Sequence, residues 1–227
     1  MQFTFYGQSS FLLEFNGHRL LFDPFISPNP KASHIDLAAI EADYILISHG
    51  HQDHIHDAVD LAKQTGASCI SNYEIIQWLA RQGADKGHPM NHGGQWQFDF
   101  GTVRMVNAVH SSSFPDGSYA GNPAGFIISS PVGNVYFAGD TALMSDMKIW
   151  GERFELDFAI LPIGDNFTMG YEDAALAAKW LKVDRVVGVH YDTFGFIEID
   201  HAAAKAAFAE QGVKLMLPGI GERIKPY

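Results

Sequence analysis

The stretch His49-Gly50-His51-Gln52-Asp53-His54 places four potential metal ligands within six residues. Histidine offers a neutral ring nitrogen and aspartate a hard anionic oxygen. That mixture suits zinc and also accommodates iron or manganese. The motif follows the apolar run Tyr44-Ile45-Leu46-Ile47, which reads as a buried strand. Its ligands are therefore expected on one flexible loop leaving a strand end, around two neighbouring ion positions. A regular strand could not arrange them so, because its side chains alternate between faces.

Three further candidates stand at the ends of apolar runs. Val103 to Val109 ends in His110, Val135 to Gly139 leads into Asp140, and Arg185 to Val189 ends in His190. Taken singly, each has an ordinary reading as a strand-boundary histidine or a Gly-Asp-Thr turn. Polar groups are costly inside such runs unless paired. Their repeated placement at the termini points to one edge where strands converge.

The elements that position them alternate strands and helices. Residues 10–15 and 18–22 flank Asn16-Gly17, a hairpin signal because a type I′ turn needs positive φ at both central residues. A short helix is expected over 36–42 and a strand over 44–48. Helices are expected from Asp57 to Gln64, and through Gln82 after an Asn72 N-cap, with a strand from Ala67 to Ser71 between them. Ile75, Ile76, Leu79 and Ala80 recur at helical spacing and read as a core face. Strand pairs follow at 95–100 with 102–109 and at 124–130 with 134–138. Helices 171–182 and 200–211 then alternate with strands 157–161, 185–189 and 213–217. The residue pattern carries no internal repeat.

The chain has 227 residues and reads as one domain, 1–227. Apolar residues make up 47% of it, enough for a large core. A net charge of −11 disfavours passive attraction to nucleic acid or an anionic membrane. The single cysteine, Cys69, rules out an intrachain disulfide and a thiolate-rich metal site. No signal peptide or membrane-spanning apolar run is read, so a cytoplasmic enzyme is expected.

His49-x-His51-x-Asp53-His54, followed in order by His110, Asp140 and His190, resembles the ligand signature of the metallo-β-lactamase superfamily. The finer pattern is similar to a group of bacterial metal-dependent hydrolases (UPF0173-like) related to the ascorbate-6-phosphate lactonases. Tyr6 to Phe11, Leu21 to Ser27, His110-Ser111-Ser112, Pro162 to Gly170 and His190 to Thr193 carry that likeness. Asp165 departs from it, standing where a second glycine is expected.

The resemblance implies an α+β fold, an αββα four-layer sandwich with the metals at one edge of its two sheets. It implies two divalent ions, zinc foremost, with Mn2+ or Fe2+ as alternatives. His49, His51 and His110 would hold the first, Asp53, His54 and His190 the second, and Asp140 would bridge them. The implied enzyme is a dinuclear metal-dependent hydrolase. A metal-bridging hydroxide would attack a small, anionic ester, lactone or phosphoester. Asp53 is the candidate to orient that water and return a proton to the leaving group.

Asn166 and Thr168 are candidate substrate contacts, with a helix cap near Tyr171 as the alternative role of Thr168. Asp23 is a candidate to orient a ligand histidine, or a turn residue at Asp-Pro. His56 is a candidate neighbour of the ligands. His51 replaces the Glu of the related flavodiiron oxygen reductases, which favours hydrolysis over redox work. Asp140 is not Cys and His54 is not Arg, which argues against the commonest secreted β-lactamases of this fold. Two other readings stay open: a metal-binding sensor or structural domain without turnover, and a ribonuclease or phosphodiesterase of the same fold.

Overall fold

The structure is a computed structural model and describes residues 1–227. Its first part runs β1 (Gln2–Gly7), β2 (Ser10–Phe15), β3 (His18–Phe22), β4 (Tyr44–Leu46), α1 (Gln52–Ile55), α2 (Ala58–Thr65), β5 (Ser68–Asn72), α3 (Tyr73–Arg81) and β6 (Gly87–Met90). The second part runs β7 (Gln95–Gln97), β8 (Thr102–Asn107), β9 (Ala124–Ser130), β10 (Gly133–Phe137), α4 (Asp146–Arg153), β11 (Phe158–Pro162), α5 (Tyr171–Leu181), β12 (Arg185–Val189), α6 (His201–Glu210), β13 (Lys214–Met216) and β14 (Arg223–Ile224).

The strands form two seven-stranded sheets, ordered β14-β1-β2-β3-β4-β5-β6 and β13-β12-β11-β10-β9-β8-β7. Side-chain alternation shows how the layers stack. In β2, Phe11, Leu13 and Phe15 join the large core between the sheets, while Leu12 faces out. In β3, Leu20 and Phe22 point inward and Leu21 outward. The outward set meets Leu61 of α2 and Ile75 and Leu79 of α3. The second sheet is covered by α4–α6, where α5 buries Ala174, Ala175, Ala177, Ala178 and Leu181. The result is an αββα sandwich. Strands covered on both faces read as continuous apolar runs rather than alternating ones. Between the sheets Phe137 meets Phe11 and Phe22 edge-on, with ring centroids 5.0 and 5.5 Å apart. Such packing joins the two sheets across their shared core.

The Asn16-Gly17 hairpin forms as expected, with φ of 52° and 78°. Asn72 caps α3 by accepting from the Ile75 N–H at 2.9 Å. Several expectations change. The helix expected over 36–42 is one 3₁₀ turn, Leu37–Ala39, capped by Asp36. Ala80 lies on the exposed side of α3. β1, β6, β14, α1 and α4 were not resolved as elements in the sequence. β6 and β14 are short edge strands with little buried side-chain surface to pattern them. α4 buries only Met147, Trp150 and Gly151.

The sheet directions decide where a site can form. β3, β4 and β5 run parallel, and β1 shares their direction through two antiparallel steps. β8, β10, β11 and β12 likewise share one direction. The loops leaving these strands therefore gather at one edge. Clefts outside the carboxyl ends of parallel strands are where α/β sheets hold ligands.

Candidate metal centre

All seven sequence-derived ligand candidates meet at that edge. His49, Asp140 and His110 stand three residues beyond the ends of β4, β10 and β8, and His190 immediately follows β12. The first motif is not wholly a loop. His51 sits at the N-cap of α1, so Asp53 and His54 lie on a helical turn. That turn fixes their relative direction better than an open loop would.

Close backbone packing shapes both halves of the cluster. At Gly50 a Cβ would lie 2.4 Å from the Ala120 Cβ, so the chain between two histidines can press against the 111–123 loop only as glycine. Gly139 has φ of +60° and approaches the Ala124 carbonyl just before Asp140. Gln8, Asp23 and His190 also hold left-handed backbone, at φ of 54°, 39° and 56°. Such conformations cost roughly 1–2 kcal/mol each and persist where surrounding structure over-determines them. Here the His190 N–H donates to the Gln8 carbonyl at 2.8 Å, and the Asp23 N–H to that of Leu46 at 3.0 Å.

The donor atoms fall into two groups. His49, His51 and His110 form one; Asp53, His54, Asp140 and His190 form the other. Asp140 Oδ2 lies 2.9 Å from His190 Nε2 and 3.2 Å from His54 Nε2. It also lies 3.7 Å from His110 Nε2 and 4.0 Å from His49 Nε2, so this one oxygen stands between the groups. Asp53 Oδ2 is 3.4 Å from His54 Nε2 and 3.6 Å from His190 Nε2.

A buried hydrogen-bond chain sets the imidazole tautomers. Asp23 accepts from the Ser48 N–H at 2.7 Å, the Ser48 hydroxyl at 2.6 Å and His54 Nδ1 at 2.8 Å. With its proton committed to Asp23, Ser48 Oγ accepts from His49 Nδ1 at 3.0 Å. Both rings thereby direct Nε2 towards the cluster.

That arrangement fits resident metal ions. His54 Nε2 and Asp140 Oδ1 are buried without a hydrogen-bond partner, and the close approach of His54 Nε2 to Asp140 lacks hydrogen-bond geometry. His49 Nε2 faces His51 Nδ1 at 2.9 Å, a contact that needs a cation or proton between two lone pairs. Ligand bonds of about 2.0–2.2 Å place tetrahedral ligand atoms roughly 3.3–3.6 Å apart, close to the spacings here.

Charge divides the groups in the metal-free chain. Burial pushes His49 well down and lowers His51 and His110, keeping them neutral. Burial also opposes charge on His54 and His190, but the carboxylates of Asp140 and Asp53 together outweigh it. His54 is raised well above its ordinary value and His190 to about 9. Asp140 is held well below the usual carboxylate range, because attraction to His190 and His54 exceeds the cost of burial.

A cavity of about 870 Å³ opens over the cluster. His51, Asp53, His110, Asp140 and His190 form its floor, and Phe25, Phe167, Phe194 and Phe196 its sides. No Lys or Arg lines it. Asn166 and Thr168, the expected substrate contacts, are absent from the lining, where Phe167 stands between them. Thr168 turns its hydroxyl to the Met169 carbonyl, and α5 is capped by Gly170 instead. Asp165 also takes left-handed backbone and accepts from the Asn166 N–H. His56 is exposed and packs against the edge of Phe25 rather than a ligand.

Sequence reasoning missed Gln8, whose Nε2 donates to Asp53 Oδ2 at 2.8 Å, and Ser48. Neither residue type signals metal chemistry. The aromatic sides had a usable signal: phenylalanines in loops that leave parallel strands.

Residues 18–191 match the β-lactamase superfamily domain. A "UPF0173 metal-dependent hydrolase" of Flavobacterium johnsoniae is 52% identical over 99% of this chain and 100% of its own length. Igni18, described as a novel metallo hydrolase of Ignicoccus hospitalis, superposes with a TM-score of 0.89 at 34% identity, over 98% of this chain and 97% of its own. The metallo-β-lactamase fold protein YhfI of Bacillus subtilis shares the fold, with a TM-score of 0.76 at 18% identity over 98% of each chain. The chain belongs to the β-lactamase superfamily and, within it, to the UPF0173 metal-dependent hydrolases.

Proposed function

We propose that the seven side chains hold two divalent ions and that the protein hydrolyses a small-molecule ester, lactone or phosphoester. His49, His51 and His110 form the first site, Asp53, His54 and His190 the second, and Asp140 bridges them. The observation that carries this reading is Asp140 Oδ2, within 4.0 Å of ligand nitrogens from both groups. The nitrogen-rich donor set favours zinc, with manganese or iron as alternatives. Bound there, the ions would supply a water activated at neutral pH and a Lewis acid for the substrate oxygen.

The chain's own residues supply the rest. Asp23 and Ser48 lock His54 and His49 with Nε2 inward. Gln8 steadies Asp53, which borders the cavity and is placed to orient water and return a proton to the departing oxygen. A cavity without Lys or Arg gives no support to a ribonuclease reading.

The test joins elemental analysis to a panel of esters, lactones and phosphoesters. Two equivalents of metal and turnover of at least one substrate class are expected. Asp53→Ala should keep about one tightly held ion and near-normal thermal stability while losing most of kcat. Two ions retained by Asp53→Ala would remove Asp53 from the second site. Full loading without turnover across the panel would favour a metal-binding domain.

A further inference from the structure

Four phenylalanines stand around the cavity, on loops that leave β3, β11 and β12. Phe25 is buried, but Phe167, Phe194 and Phe196 are 52%, 39% and 78% exposed. Phe25 meets Phe194 at 6.2 Å between centroids, and Phe167 meets Phe196 edge-on at 6.3 Å. Single exposed apolar residues are ordinary, whereas a contiguous group bordering a cavity marks a ligand surface.

These rings sit on anchored loops. Asp57 accepts from the Ile26 and Ser27 N–H groups at 2.6 and 2.9 Å, fixing the turn that carries Phe25. Met169 is buried and donates its N–H to the Thr141 carbonyl at 3.0 Å, beneath Phe167. Ile197 is fully buried beside Phe196, and its carbonyl accepts from the Asp192 N–H at 2.8 Å. Each loop therefore tucks one apolar side chain into the protein and offers another to the cavity.

The cavity thus has a polar floor and aromatic sides with no cationic side chain. An anionic substrate, expected from the sequence, would find charge partners only at the ions. An apolar arm would find surface along the sides. A volume of about 870 Å³ also exceeds what a few-atom substrate fills.

Building on the hydrolase reading, we infer that the substrate is an uncharged ester or lactone of a medium-chain or arylalkyl acid. Its acyl arm lies among Phe25, Phe167, Phe194 and Phe196, and its carbonyl reaches the floor beside Asp53 and Asp140. In the reaction the water oxygen bonds to the acyl carbon and the acyl C–O bond breaks. A water proton goes to the departing alcohol oxygen, giving the acid and the alcohol.

The test uses metal-loaded protein and the 4-nitrophenyl esters of acetic, butyric and hexanoic acids, which share one leaving group. Mono-4-nitrophenyl glutarate and 4-nitrophenyl phosphate serve as anionic counterparts. Burial of each added methylene is expected to raise kcat/KM by about fourfold. The hexanoate should exceed the glutarate by about tenfold or more, and Phe194→Ala/Phe196→Ala should flatten the chain-length slope. A separate arm measures 4-phenylbutanol binding by calorimetry, with a negative heat-capacity change that the double variant diminishes. Binding of 4-phenylbutanol without turnover of any of these compounds, or of any ester, lactone or phosphoester in the wider panel, would uphold the aromatic cradle and overturn the hydrolase reading. Turnover that is flat with chain length, or faster on the anions, would uphold the hydrolase and overturn the apolar substrate. Neither binding nor turnover would overturn both.

Discussion

From its hairpin outward, the sheet of β1–β6 repeats the order and directions of the sheet of β8–β13. In each, two antiparallel steps lead into three parallel ones. One antiparallel edge strand completes each sheet, β14 beside β1 and β7 beside β8. Equivalent strand ends carry different chemistry. Gln8 follows β1 where His110 follows β8. Asp23 follows β3 where Asp140 follows β10. Asn72 ends β5 where His190 follows β12. The loop after β4 carries four ligand candidates, while the loop after β11 carries Phe167. One half concentrates its donors in a single loop, which Gln8 and Asp23 at two of its other strand ends hold by direct hydrogen bonds. The other half distributes its donors, and its spare loop borders the cavity through Phe167.

The two aspartates show how position and role separate. Both are buried at the end of the third strand of their half. Asp23 is filled by hydrogen bonds from Ser48 and His54, and burial pushes its pKa up against them. Asp140 leaves Oδ1 without a partner and is held far below its usual range by the imidazoles around it. The comparison breaks if the two respond alike to losing their charge. Asp140→Asn should abolish hydrolysis by several orders of magnitude and leave at most one ion. Asp23→Asn should keep both ions and weaken their retention by about 10–100-fold, the usual cost of removing a ligand's orienting partner. Graded chelator dialysis with metal analysis reads both. Equal losses would mean that Asp23 is itself a ligand or that Asp140 is not.

The two proposed ion sites should also differ in their response to pH. His54 and His190 begin protonated in the metal-free chain, whereas His49, His51 and His110 begin neutral. Because the His190 value is raised, its pairing with Asp140 stabilises the metal-free fold fully below about 6.5. That contribution is lost as pH rises through about 9. An ion competes for the same nitrogen, so filling the second site must displace protons. Displacing the His190 proton alone should lower that site's affinity by about tenfold per pH unit below about 9, and the His54 proton adds to that dependence, while the first site changes little. Calorimetric titration in buffers of different ionisation enthalpy counts those protons. Equal proton release at both sites would erase this distinction between the halves.

This asymmetry also explains what could be read from the sequence. A compact His-x-His-x-Asp-His run is visible because its donors are neighbours in the chain. His110, Asp140 and His190 each look like a strand boundary, and became a set through their ordered resemblance to a known signature. The strands were legible because burial on both faces makes them continuous apolar runs. β14 and β6 were not, because pairing at a sheet edge requires backbone bonds more than a buried side-chain pattern. Gln8 and Ser48 act through amide and hydroxyl groups found in any turn, and their partners lie 45 positions away at Asp53 and 25 away at Asp23. The repeated strand order has no matching residue repeat, since equivalent ends were given unlike side chains.

Gln8 should give a smaller effect than Asp23. Gln8→Leu keeps side-chain bulk and removes the donor to Asp53. The second ion should leave about tenfold faster, at the mild end for an orienting partner, with the first unaffected. Stopped-flow transfer to a chromogenic chelator resolves the two phases. A change in the first phase alone would show that Gln8 supports the other site.

The smallest effect belongs to Asn72, which shares its strand-end position with His190. Asn72 caps α3, and its Nδ2 donates to the Ala120 and Asn122 carbonyls at 2.9 and 3.2 Å. Its bonds hold the 111–123 loop against Gly50, but none reaches a candidate ligand. Asn72→Ala should cost about 1–2 kcal/mol through the lost cap and the unpaired carbonyls. For a chain of this length that lowers Tm by about 2–8 °C. Metal stoichiometry and the pH dependence of loading should stay as they are if the ligand role proposed for His190 has no counterpart at this strand position. Thermal unfolding beside metal analysis tests the pair. An Asn72→Ala protein of unchanged Tm that binds only one ion would show that the first half, too, uses its β5 end to hold metal.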